Sequence, residues 1–109
     1  MIVYVDVDDT LVRSFGSKQI AMSHTQEYVR KLKEAGASLY CWSSGGAEYA
    51  RRVATEAGLA DCFIAYLPKP QVLVDDVLVE NWELQQLHPN ECRSQAGDEL
   101  LAAISGTCR

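Results

Sequence analysis

The opening run "MIVYVDVDDTLV" crowds three carboxylates, Asp6, Asp8 and Asp9, into the positions just after a string of β-branched and aromatic residues. Packing alone has no use for them, because unpaired buried charge is expensive. Two carboxylates one residue apart repel unless a cation lies between them or one takes a proton. Further along stand a hydroxyl, Ser43, a cation, Lys69, and a second acidic pair, Asp75 and Asp76, each beside an apolar run. Chemistry on a phosphoryl group uses every member of this set: a carboxylate nucleophile, a general acid and base, a hydroxyl donor, a countercharge, and hard oxygen ligands for a divalent metal.

Those residues need elements to hold them. Ile2 to Val7 reads as a strand covered on both faces, as in the middle of a parallel sheet. After a turn around Gly16, "MSHTQEYVRKLKEAGA" reads as a helix. Ser23 and Gln26 have capping-box spacing, Tyr28, Val29, Leu32 and Ala35 form its apolar face, and Gly36 stops it. "ASLYCWSS" is a second strand. Gly45 and Gly46 open a second helix with Ala50, Val53, Ala54 and Ala57 on one face and Gly58 at its end. Two short apolar runs follow, "CFIAYL" and "QVLVDDVLV", separated by "PKP", and "GDELLAAIS" predicts a last helix. Alternation of strand and helix predicts an α/β fold with a parallel sheet, and ligands of such sheets bind outside the carboxyl ends of the strands. Asp6, Asp8, Ser43 and the Asp75-Asp76 pair all fall at such ends, with Lys69 just upstream of the last.

Length and composition bound the rest. At 109 residues and 48% hydrophobic, the chain is expected to form one domain, residues 1–109, with a single core. A formal net charge of −5 argues against a broad face for duplex nucleic acid or an anionic membrane. The opening residues lack the basic and small-residue flanks of a signal peptide and the length of a membrane span, so the expected location is cytoplasmic. Cys41, Cys62, Cys92 and Cys108 are too irregularly spaced for a metal or redox motif and read as reduced thiols. "HPNEC" sets His88 four residues before Cys92, half of a possible metal site with no second half, and reads as a loop.

In order and placement, "DVDDT" at Asp6–Thr10, "LYCWS" ending at Ser43, Lys69, and "VLVDD" ending at Asp76 resemble the four motifs of the haloacid dehalogenase superfamily. The resemblance implies a Rossmann-like three-layer sandwich with a mostly parallel sheet, helices on both faces and a small β-flap. It implies a Mg2+-dependent phosphatase in which Asp6 is the nucleophile that forms an aspartyl-phosphate and Asp8 is the general acid and then the base. Ser43 would bond the phosphoryl oxygens and Lys69 would neutralise charge. Mg2+ would be held by Asp6, the Asp8 carbonyl, and Asp75 or Asp76. A carboxylate at Asp8 resembles the phosphatase and phosphotransferase branches rather than the dehalogenases or ion pumps. Thr10, Ser44, Gly45 and Arg13 are candidate substrate contacts. For Arg13 and for Lys18, solvated surface charge is the plainer reading, and Asp9 is expected to cap the turn.

No inserted cap domain is present, since only Arg13 to Ile20 intervenes before the first helix. An open site suits a large phosphorylated substrate, such as a phosphoprotein or a polynucleotide end, or a small one enclosed by a second subunit. Trp42 is expected in the core, and Trp82 either over the site or, preferably, under the last helix. His24 belongs to a helix N-terminal turn. One conflict stands out: only about five residues link "FIAY" to "VLVDD", barely enough to cross a sheet and start another parallel strand. Either "FIAY" is a very short strand or it lies outside the sheet, with Lys69 arriving from an unusual direction. Two other activities fit the same residues, a phosphotransferase and a non-catalytic module that binds phosphorylated ligands. A receiver-like switch is less apt, because its acceptor aspartate lies on a middle strand and no Asp occurs here between Asp9 and Asp61.

Overall fold

The computed structural model describes residues 1–107. Its order is β1 (Ile2–Val5), β2 (Val12–Phe15), β3 (Lys18–Ala21), α1 (Ser23–Ala35), β4 (Ser38–Ser43), α2 (Ala47–Glu56), β5 (Ala65–Pro68) and α3 (Gln95–Thr107), with short 3-10 turns at Ala60–Cys62, Val79–Asn81 and Pro89–Arg93. The fold is α/β: a three-stranded parallel sheet ordered β1-β4-β5, plus a two-stranded antiparallel hairpin, β2-β3. That hairpin is the expected flap, turning at Gly16. Val5 pairs with Cys41 and Ser43 with Pro68, so the strands end at a common level.

Each helix buries the stripe that its spacing dictates. α1 buries Thr25, Tyr28, Val29 and Leu32 and ends on Gly36, whose φ of 106° is left-handed and lets its amide reach back to the Leu32 and Lys33 carbonyls. α2 buries Ala50, Val53 and Ala54 against β4 and β5. α1 packs on β4 and on α3, which contributes the fully buried Ile104. Between them lie Val5, Val7, Leu11, Leu39, Cys41 and Leu59.

Several expectations need correction. Ser23 and Gln26 form no capping box: Met22 is the N-cap residue, and the Gln26 amide instead donates to the Leu11 carbonyl at 2.8 Å, tying α1 to the turn after β1. "VLVDD" is no strand. Residues 71–78 are irregular and exposed, with Val72 at 80% and Val74 at 96%. The conflict over the short link is thereby resolved, since β5 is a four-residue strand within the sheet and no second parallel strand follows it among the described residues. Trp42 is not core: along β4, Leu39, Cys41 and Ser43 are buried, whereas Tyr40 and Trp42 are only half-buried on the opposite face. There Tyr4 stacks edge-on against Trp42 at 4.9 Å and tilted against Tyr40 at 5.3 Å, with Ile2 exposed beside them. Trp82 stays exposed, its indole N–H donating to the Val77 carbonyl within its own segment. His88 caps the last 3-10 turn by accepting the Asn90 amide at 3.1 Å. Cys41, Cys62 and Cys92 are free thiols, and Cys108 lies outside the described residues.

Candidate functional site

Where β1 ends, the chain turns back sharply. The amides of Thr10, Leu11 and Val12 all reach the Val7 carbonyl, and Asp9, at φ 58°, donates its amide to the Val12 carbonyl. A left-handed conformation suits Asp better than most residues, and here it is the backbone of Asp9 that shapes the turn. The turn returns Thr10 to Asp6, where its hydroxyl donates to Oδ2 at 3.4 Å. On the other side, Lys69 Nζ lies 3.3 Å from Asp6 Oδ1. Both side chains of that pair are about one third exposed, so the contact places charge more than it stabilises the fold. Lys69 arrives through the sheet: its amide donates to the Ser43 carbonyl at 2.9 Å, directly after the β4–β5 rungs, and its ammonium stands 5.9 Å from the Trp42 ring.

Ser43 is 1% exposed at the tip of β4. Its Oγ accepts the Gly45 amide at 3.0 Å, which leaves its own proton to donate. The next turn is closed by the Gly46 amide on the Ser43 carbonyl, and Gly46 has a φ of 104°, which a side chain would disfavour. A Cβ on Gly45 would stand 2.9 Å from the Tyr49 ring, so the loop and that tyrosine share one surface. Ser44 is exposed. Beneath the tip, burial and, to a lesser degree, the Asp6 charge push the Cys41 thiol up to about 12.

Asp8 has a partner that its sequence neighbourhood does not reveal. Tyr49, in the first turn of α2, donates its hydroxyl to Asp8 Oδ1 at 2.6 Å, and Gln19 of the flap donates to that hydroxyl at 2.8 Å. The bond to Asp8, with some burial, raises the Tyr49 pKa. The one signal available beforehand was position, since Tyr49 opens the helix that follows Ser43. Arg13 and Lys18 are exposed on the flap.

The site thus gathers Asp6, Thr10, Ser43, Gly45 and Lys69 at one sheet edge, with Asp8 held beside them by Tyr49. Asp75 and Asp76 lie in the exposed segment after β5, where Asp75 Oδ1 closes a local turn by accepting the Val77 amide at 2.9 Å. Among the described residues, no three His, Cys, Asp or Glu side chains are grouped to hold a metal ion. Comparison with known proteins finds no family model, curated protein or solved structure that matches the chain.

Proposed function

We propose that the chain is a phosphomonoester hydrolase of the haloacid dehalogenase kind, without a cap. The observation that carries this reading is the 3.3 Å approach of Lys69 to Asp6 at the carboxyl edge of a parallel sheet, with the buried Ser43 on the adjoining strand. A phosphoryl group there would find a nucleophile, a cation and a hydroxyl donor converging from three strand ends. In the first step an Asp6 carboxylate oxygen bonds to phosphorus as the ester oxygen leaves, and Asp8 in its acid form gives that oxygen a proton. In the second, Asp8 takes a proton from water as the water oxygen attacks phosphorus and Asp6 is released. Tyr49 holds Asp8 Oδ1, leaving the other carboxyl oxygen for these transfers. Ser43 and the amides near Ser44 and Gly45 meet charge on the equatorial oxygens, and Thr10 orients Asp6. The positive end of α2 points the same way.

The Mg2+ that this reading implies would take hard oxygen donors from this chain, Asp6 and the Asp8 carbonyl at the site together with Asp75 or Asp76, and would supply countercharge to the phosphoryl oxygens; no step here runs through it. The β-α-β-α-β order of the parallel sheet supports the Rossmann-like part of the same reading, whereas its Tyr4–Trp42 face carries no covering helix among the described residues. A cytoplasmic location also belongs to this reading, and the free thiols Cys41, Cys62 and Cys92 among the described residues suit it. No helix among the described residues is long and apolar enough to cross a membrane. Substrates would be phosphorylated molecules reaching an open edge, a large one included.

The test is hydrolysis of an aryl phosphate with and without Mg2+. Turnover is expected, lost in Asp6→Asn while the circular dichroism spectrum is unchanged. Full activity in that variant would remove Asp6 as nucleophile. Asp8→Asn should slow esters of basic leaving groups most, by about 10²–10⁴. A second reading, a non-catalytic module that binds phosphorylated ligands, draws on the exposed, irregular segment that carries Asp75 and Asp76. It predicts saturable binding of a phosphopeptide with no turnover under any metal.

A further inference from the structure

The flap turns one face towards the site, and its strand pairing says which residues lie there. In the β2-β3 hairpin Ser14 stands opposite Gln19 and Val12 opposite Ala21. Directly opposed residues share a face of a hairpin, and so do residues two apart along a strand. Val12 is buried in the core, so the face that holds it, with Ser14, Gln19 and Ala21, is the inner one. Arg13, Phe15, Lys18 and Ile20 belong to the other face and are exposed. Of the inner set only Gln19 combines length with a hydrogen-bonding end, and its amide meets the Tyr49 hydroxyl of α2 at 2.8 Å.

Proton counting fixes the sense of that contact. Tyr49 has one hydroxyl proton, and at 2.6 Å it goes to Asp8 Oδ1. Towards Gln19 the phenol oxygen can then only accept, so the amide must present its NH2 and not its carbonyl. The ring itself has little freedom. The Gly45 backbone lies so close that a Cβ there would be 2.9 Å from a ring carbon, and the Arg52 guanidinium stands 5.3 Å from the ring centroid. What is left free is the direction of the hydroxyl proton, and a donor facing it from Gln19 closes the direction away from Asp8. A phenol that accepts one hydrogen bond is also polarised into a stronger donor of the next.

We propose that Gln19 is a positioning residue for proton transfer at Asp8: by donating to Tyr49 it commits the tyrosine proton to Asp8 Oδ1, so that Asp8 in its acid form carries its own proton on the other oxygen. This role rests on the phosphoryl-transfer reading, whereas the contact does not. The proton given to the ester oxygen and the proton later taken from water then move at a single carboxyl oxygen. Its place is set jointly by the turn after β1, by α2 and by the flap. Gln19 acts through Tyr49 and not on the ester itself.

Gln19→Met keeps the length of the side chain and removes the donor, and Gln19 is exposed, so the fold does not depend on it. With the full chain, Mg2+ and a series of phosphate monoesters, kcat should fall about fivefold for alkyl esters, stay within about twofold for nitrophenyl phosphate, and leave KM little changed. In a Tyr49→Phe background the same substitution should change nothing further, because the group it acts through is gone. Ser14→Ala, at the facing position on the hairpin, should match wild type. The contact itself is read without activity. The Gln19 side-chain amide signals in heteronuclear NMR, identified by their loss in Gln19→Met, should shift in Tyr49→Phe. Amide signals that stay in place there, a Gln19→Met kcat equal to wild type, a loss equal for all leaving groups, additive losses in the double variant, or the same loss in Ser14→Ala would each overturn the proposal. A shift of those signals in a chain that hydrolyses no phosphate ester sinks the proposed function, and the positioning role with it, while the contact stands.

Discussion

Gly97 lies in the first turns of α3, where helix propensity alone would make alanine an improvement of up to about 1 kcal/mol. The structure reverses that expectation. A methyl group there would stand 2.5 Å from the Cys92 carbonyl oxygen and 2.9 Å from that of Glu91, both backbone atoms of the adjoining 3-10 turn. Ordinary carbon–oxygen contacts begin at about 3.3 Å, so the turn would have to retreat by about 0.8 Å. Overpacking of this kind costs about 1–3 kcal/mol. The shift also disturbs the Gly97 carbonyl, which accepts the buried Tyr28 hydroxyl at 2.7 Å, a bond worth about 1 kcal/mol. Set against the propensity gain, Gly97→Ala should destabilise the domain by about 1–3 kcal/mol, and each kcal/mol lowers Tm by about 4–8 °C at roughly this size. Gly106 on the same helix is the control, because nothing lies within 4 Å of the place its methyl group would take; Gly106→Ala should be neutral or mildly stabilising. Thermal and urea unfolding of the two variants decide the matter. A Gly97→Ala protein as stable as Gly106→Ala would refute the packing argument.

Tyr49→Phe removes the hydroxyl that donates to Asp8 and should reduce kcat for esters of poor leaving groups about tenfold with KM little changed; equal losses in kcat for good and poor leaving groups would assign Tyr49 a purely structural part. Burial pushes both the Cys41 thiol and the Tyr28 phenol up to about 12, from ordinary values of 9.0 and 10.0. These groups keep their protons in the folded chain after the unfolded chain has begun to lose them, so their stabilising effect is complete below about pH 9 and falls away as pH rises towards 12. Urea midpoints across that range should decline, less steeply in Cys41→Ala measured against its own neutral-pH value. Native Cys41 should also resist alkylation at neutral pH while Cys92, half-buried, reacts before Cys41 and Cys62.

The parts of the fold legible in the sequence were those written in local chemistry. The apolar stripes of α1 and α2 and the glycine that ends α1 needed no tertiary information, and neither did the placement of Asp6 and Ser43 at strand ends. Lys69 was legible as a cation beside an apolar run, but its direction of approach depended on whether β5 joined the sheet. Misreadings arose where several partners competed for one residue. Gln26 has the spacing of a cap and the length to reach Leu11, and the second option prevailed. Alternation correctly turned Trp42 away from Ser43, but the face it turned to carries aromatic neighbours rather than a covering helix. "VLVDD" has strand composition, yet composition says nothing of whether an edge is within reach. Tyr49 and Gln19 lie thirty residues apart, and only the folded flap shows that they share a hydrogen bond.

The main-chain bond from Lys69 to Ser43 has a consequence for how the site moves. Cation and hydroxyl are locked to the same rung, so fraying of the outer strand would carry the ammonium away from the first aspartate while the serine kept its post on the central strand. Under the proposed function, catalytic competence would then be lost before the core loosened, and the earliest thermal inactivation would report on a four-residue ribbon rather than on the whole molecule.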